Sequence, residues 1–463
     1  VKLEAGWEVF RVRLCFTSTR QEGAENSARG GRDPRFFCCF VALLFKSGKH
    51  GIIRGFMSAN PAARREKFFD PAIAAVIIAG ACTFLLVYCT QPLLPYLQQV
   101  FHATEVEVAM TVGAVTMAVA ITAPFTGMVA EPIGRKKVIV PSLFAMSVPT
   151  FLAATSHSLH ALIFWRFAQG LFVPGVIAVM MAYINEEFPG RRGGVMAAYI
   201  AGTASGGFLG RFLTGIIASH WDWRMAFVVL GFIDLLGALA VRQWLPLAVN
   251  FVPSKHVFKS LADTWGHLNN FRLLSVCGMG FTILFSLVGV FTYANFYLAG
   301  PPFKLSPAGL GEIFAVFLLG CVVTPLAGRF FDRAGFRRTA LLAFGMCLGG
   351  ILLTLFHSLA LVIVGLAIFS SGVFVAQAAA TVLTGQVAGR ARSAAAGLYV
   401  TFYYIGGSLG ASLTAWFWLR GGWPGCVGLF AGVSAATLIL GWLGATAVAG
   451  QKVTEETPLD TAI

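Results

Sequence analysis

Between residues 70 and 450 the chain alternates long apolar runs with short polar connectors. A run of about 20 apolar residues crosses the roughly 30 Å hydrocarbon core as a helix, because nothing else there satisfies the backbone. By that measure the pattern predicts twelve spans, at 71–92, 106–129, 138–155, 160–183, 194–217, 225–244, 272–298, 309–331, 338–356, 359–384, 393–419 and 425–448. In chain order these are spans 1 to 12. The longest connector, 246–271, is polar and leaves six spans on either side.

The halves echo each other at an offset of 200. His157-Ser158-Leu159 matches His357-Ser358-Leu359, Tyr199 matches Tyr399, Gly206-Gly207 matches Gly406-Gly407, Gly210 matches Gly410, and Trp223 matches Trp423. A duplicated six-helix unit explains one offset held across several spans. The expected fold is an all-α integral membrane protein, with twelve transmembrane helices in two pseudo-symmetric six-helix bundles at 70–245 and 272–449. Tails at 1–69 and 450–463 flank them. The first 56 residues fit no span: 36–45 is apolar but too short to cross, and Met57 opens a short basic tail, so Met57 is the expected translation start.

Composition agrees. Of 463 residues, 57% are hydrophobic and 12% charged, against roughly 25% charged in soluble proteins. The net charge of +14 would suit nucleic acid, but the Lys and Arg lie in short clusters between spans and not along a soluble face. Counted by alternate connectors, fifteen basic residues from Arg135 to Lys452 fall on one side, and three (Arg224, Lys304 and Arg420) on the other. The positive-inside rule makes the basic side cytoplasmic and puts both termini there. The nine cysteines form no Cys-x-x-Cys pair and the sequence has no Gly-x4-Gly-Lys-Ser/Thr loop, so no metal, cofactor, nucleotide hydrolysis or enzyme activity is expected.

One polar motif occurs twice on the basic side. "GMVAEPIGRKK", residues 127–137, joins spans 2 and 3, and "GRFFDRAGFRR", residues 328–338, joins spans 8 and 9. Gly127 and Gly328 leave room for a neighbouring helix, Glu131 and Asp332 can meet a helix end or an Arg, and Gly134 and Gly335 allow a sharp turn. Arg135, Lys136 and Lys137, with Arg333, Arg337 and Arg338, hold the loops at the inner surface. These loops resemble the signature of the major facilitator superfamily, Gly-x-x-x-Asp-basic-x-Gly-basic. The second copy follows it with Phe336 in a usually basic slot; the first substitutes Glu131 and Pro132. The resemblance covers about 70–450 and implies that the two loops are cytoplasmic gates. Span 4 carries Leu162-Ile-Phe-Trp-Arg166-Phe-Ala-Gln169-Gly170, similar to the family's L-x-x-x-R-x-x-Q-G element. The stretches "YCTQPLLPYL", "YINEEFPGRRGG" and "HWDWRMAF" resemble bacterial inner-membrane permeases of the acriflavine-sensitivity, drug-efflux-like group.

Ionisable groups within spans are few and are functional candidates by default. Arg166 and Arg211 are expected at similar depth near the outer half of a central cavity, with Asp234 as counter-ion or proton carrier; a purely structural role for each competes with this. Tyr88, Gln91, Gln377 and Tyr403 offer stacking and hydrogen bonds to an organic ligand. Glu186 and Glu187 are expected to pair with Arg191 and Arg192. The resulting expectation is a monomeric secondary transporter of the bacterial inner membrane, exporting a small organic compound in exchange for protons. Uptake or exchange of a small organic anion is the alternative, and a non-transporting membrane sensor is the reading from another class.

Overall fold

The computed structural model describes residues 70–249, 270–387 and 392–455, all within one compact unit spanning Phe69–Ile463. The Met57 start, the 1–69 tail, most of the 246–271 connector and the chain after Glu455 lie outside the described residues. Those residues form helices and no strand. Ten of the helices are long and apolar enough to cross a bilayer. Two of the ten are too long for one crossing: Pro307–Leu353 has 47 residues and Ala395–Leu443 has 49, each more than twice the ~20 residues that a crossing needs. Each is broken by a glycine with non-helical backbone, Gly335 (φ 76) and Gly422 (φ 56). Reading each as two crossings recovers the twelve that hydropathy predicts.

Several spans are interrupted, and the interruptions have local causes. Span 1 runs Pro71–Val87, then a 3-10 turn at Gln91–Leu93, then Leu94–Phe101. Pro92 has no N–H to continue the ladder, and the Gln91 N–H turns back to the Tyr88 carbonyl at 3.1 Å. Span 4 breaks between Leu159–Gly170 and Val173–Glu187, with Pro174 opening the second piece. Span 8 changes from Pro307–Ile313 to a 3-10 stretch at Phe314–Leu319, with no proline or glycine at that step to announce it.

The repeat seen in the sequence is also a repeat of contacts. A Cβ on Gly206 would strike the Ala81 carbonyl oxygen, and one on Gly406 that of Phe281. Gly210 lies equally close to Leu85, as Gly410 does to Phe285. Tyr199 lays its ring on Gly80, and Tyr399 on Gly280. Every one of these pairs differs by 200. Spans 1 and 5 thus meet as spans 7 and 11 do, backbone against backbone, the close approach that small residues permit in a membrane.

Among the described residues, three hydrogen bonds link the two halves. The Ala308 N–H donates to Ser219 Oγ (3.0 Å), Ser408 Oγ donates to the Gly113 carbonyl (2.9 Å), and Gln91 Nε2 donates to Thr292 Oγ1 (3.4 Å). All three lie in the half of the spans remote from the Arg135 and Arg337 loops, called here the far end. At the other, basic end, Gly193, Gly194, Gly328 and Gly397 face open space. No helix fills the room at Gly328 that the motif reserves for one.

Candidate functional site

Both signature loops turn on a glycine with positive φ, Gly134 (φ 102) and Gly335 (φ 76), a conformation that other residues adopt at a penalty. Arg135 forms a forked pair with Glu186 at the basic end of span 4, Nη2 to Oε1 at 2.6 Å and Nε to Oε2 at 3.1 Å. The expected pairing of Glu186 with Arg191 or Arg192 is therefore corrected. Arg191 reaches Asp70 instead, at 3.5 Å. In the second copy Arg337 lies over the Trp442 ring at 5.1 Å, while Asp332, Arg333 and Arg338 are exposed. Glu131 and Asp332 make no ion pair among the described residues. Lys136 opens span 3; Gly127 falls within the span 2 helix.

Arg166 lies at 1% exposure inside the N-terminal half. Its guanidinium donates to the carbonyls of Leu86 (2.8 Å), Val87 (2.5 Å) and Thr111 (3.4 Å), and also to Gln169 Oε1. Gln169 passes the link on to Thr150 Oγ1 of span 3 (2.5 Å). The carbonyls of Leu86 and Val87 are those freed where span 1 breaks before Pro92, at the negative end of a helix dipole. The R-x-x-Q spacing thus places a fixed cation on a helix end and ties it to a third helix. The geometry departs from a cavity-facing pair: Arg166 is occupied within one half.

Arg211 is different. Its Nε donates to Gln91 Oε1 (2.7 Å) and its Nη1 to Gly207 of its own helix (2.5 Å). Three rings surround the guanidinium carbon, Phe314 at 4.5 Å, Tyr88 at 4.8 Å and Phe317 at 5.0 Å. Tyr88 and Gln91 come from span 1, whereas Phe314 and Phe317 belong to span 8 in the other half.

Asp234 is fully buried in span 6. One oxygen accepts from Ser147 Oγ of span 3 at 2.8 Å, and the other has no partner. Cys82 of span 1 lies beside it, within reach of Gly237 one turn on. In the C-terminal half Gln377 accepts from the Tyr399 hydroxyl (3.2 Å), and Tyr399 stacks on Tyr403 with centroids 6.0 Å apart. Ser147, Thr292, Phe314 and Phe317 escape a reading of the sequence, because hydroxyls and 42 phenylalanines give no signal until a charged partner is found opposite.

The two halves pack by the same glycines, and among the described residues the buried charges, Arg166, Arg211 and Asp234, lie in the first half. The Major Facilitator Superfamily model matches residues 76–301 and 273–459, and the chain belongs to that family. It is 33% identical over 371 residues to an MFS-type transporter of Bacillus subtilis, YybF, covering 80% of this chain and 91% of that one. It is 34% identical over 369 residues to the Escherichia coli inner membrane transport protein YnfM, covering 79% and 88%. Among solved structures, the nucleoside transporter NupG superposes with a TM-score of 0.66 at 12% identity, covering 81% of this chain and 99% of that one. A bacterial homologue of the lysosomal transporter Spinster, inward-facing and unoccupied, superposes at 0.60 with 14% identity, covering 82% and 95%. The chain is thus a multi-pass membrane transporter and not an enzyme.

Proposed function

We propose that the protein exports a small organic compound from the bacterial cytoplasm in exchange for protons, by alternating access between its two halves. The basic end is cytoplasmic by the charge count, so the structure is the inward-facing form, the membrane being the inner membrane and the working unit a monomer. The observation that carries the reading is that, among the described residues, Gln91–Thr292, Ser219–Ala308 and Gly113–Ser408 link the halves in the far part of the spans, while Gly193, Gly328 and Gly397 at the other end face open space. Sequence likeness to permeases of the acriflavine-sensitivity group favours export. The proton has a candidate seat. Asp234 is a buried carboxyl with one donor and no ion pair among the described residues, and such a group is tolerated in a membrane chiefly when it can be neutralised.

Reconstituted protein with an imposed pH gradient should move acriflavine, and Asp234→Asn should abolish gradient-driven flux while sparing exchange at equal pH. A wild-type protein indifferent to the gradient would remove proton coupling. Equal flux in wild type and Asp234→Asn would move the proton elsewhere. The second reading, transport of an organic anion, is favoured by Arg211, a buried cation at the interface with no carboxylate among its partners.

A further inference from the structure

Arg211 sits nine residues before His220, where its helix ends, so it lies ~13 Å inside the far end at 1.5 Å per residue. It is 5% exposed and always charged, and among the described residues it makes no ion pair. What compensates the buried charge is a cage. Span 1 gives the Tyr88 ring and the Gln91 oxygen; span 8 gives the rings of Phe314 and Phe317. Phe291 of span 7 backs the cage, with centroids 5.5 Å from Phe314 and 4.5 Å from Phe317. Gln91 also reaches across to Thr292. Two of the three rings, and the far side of the Gln91 link, therefore belong to the other half. Both rings stand on the 3-10 stretch Phe314–Leu319, a local form that often marks a hinge.

Parting the halves at the far end withdraws Phe314, Phe317 and Thr292 and leaves Tyr88, Gln91 and Gly207 behind. The guanidinium then faces the opening cavity with its charge uncompensated. A flat fork of N–H donors matches a carboxylate, and an apolar ring on the ligand replaces the lost phenylalanines. We propose that Arg211 is a state-dependent receptor for small organic carboxylates. It is caged and unavailable in the form seen here, and is presented to an anion only when the far end opens. Cage and ligand compete for one guanidinium, so anion binding pulls the far end open and closure expels the anion. This rests on the alternating-access reading and holds for either direction of transport.

Far-end closure can be followed by oxidative cross-linking of Ser219→Cys to Ala308→Cys, positions already joined by the 3.0 Å hydrogen bond. Benzoate should lower cross-linking about tenfold, the scale of one charge-assisted contact. Benzamide, of the same shape without the charge, should do nothing. Phe317→Leu loosens the cage and should lower cross-linking without ligand while keeping the benzoate response. Arg211→Gln should lose the response; if that variant does not fold, Arg211→Lys, charged but without the fork, should blunt it. Benzoate without effect in a protein that does respond to Phe317→Leu overturns the proposal and leaves alternating access standing. An equal benzoate response in Arg211→Gln overturns it as well. Cross-linking that no variant changes, together with fixed thiol accessibility at the basic end, would sink the alternating-access reading itself.

Discussion

The N- and C-terminal halves share a scaffold and differ in what they bury. At the contacts of span 1 with span 5 and of span 7 with span 11, Gly206 and Gly406, Gly210 and Gly410, and Tyr199 and Tyr399 do the same work 200 residues apart. Among the described residues the buried charges lie in one copy. Arg166 and Gln169 correspond to Leu366 and Phe369, Arg211 to Ala411, Gln91 to Phe291, and Asp234 to Ser434. Where Gln169 reaches Thr150 by a hydrogen bond, Phe369 instead packs directly on Gly350. Where Asp234 meets Ser147 and Cys82, the second half has Ser434 and Cys347 lining a cavity of about 30 Å³, with Ser286 and Thr437 on its wall. Duplication fixed the backbone approach because a helix crossing tolerates no side chain there. Buried charge was free to diverge, since each half needs only its own helix breaks satisfied.

The largest effect that tests this comparison comes from the shared glycines. Gly206→Val and Gly406→Val should each destabilise by about 3 kcal/mol or more, because the new side chain meets a backbone carbonyl that cannot rotate away. Thermal unfolding of the purified protein in detergent reads this. A loss at only one of the two positions would end the claim that the halves are packed alike.

The next effect lies on the divergent side. Arg166→Leu copies the second half, but leaves the Leu86 and Val87 carbonyls without their donor, at about 1–3 kcal/mol for each unsatisfied group. Hydrogen exchange should quicken around residues 84–93 while span 7 stays protected. Unchanged protection in span 1 would show that the break does not depend on its cap.

The smallest effect concerns the two loops. Arg135→Ala breaks the forked pair with Glu186, whose side chains are 13% and 28% exposed, and should lower stability by about 1 kcal/mol. Asp332→Asn should leave unfolding unchanged, because Asp332 makes no ion pair among the described residues, and should instead shift the population toward the form open at the basic end. Thiol labelling of a cysteine placed at Gly397 would show that shift. Equal labelling in Asp332→Asn and Glu131→Gln would make the loops interchangeable despite their different sequences.

Most of the scaffold was legible in the sequence, since span length, the polar connectors and the offset of 200 are local or periodic signals. The two positive-φ turns were legible too, because Gly134 and Gly335 stand between an apolar run and a basic cluster. The site was legible only as a set of residues. Arg166 and Arg211 stand out by charge, but nothing in the order of residues says that one meets carbonyls 80 positions away and the other meets rings on span 8. The 3-10 stretch at Phe314–Leu319 left no mark either, because the stretch itself contains no proline or glycine. The pairing of Glu186 was misread because Arg191 and Arg192 are nearer in sequence, whereas the fold brings Arg135 nearer in space.

The turn at Gly422 bears on how the chain enters the membrane. Spans 11 and 12 form one helical path, Arg392–Glu455, that doubles back at a single residue at the far end. An ordinary connector there would carry a polar loop through the hydrocarbon core. Here the chief burden beside the turn is Arg420, which lies over the Trp416 ring at 3.7 Å. With so little polar backbone to carry, the last two spans are suited to entering as one preformed hairpin. A nascent chain released at Gly422 should therefore hold span 11 less firmly in the bilayer than one released after span 12.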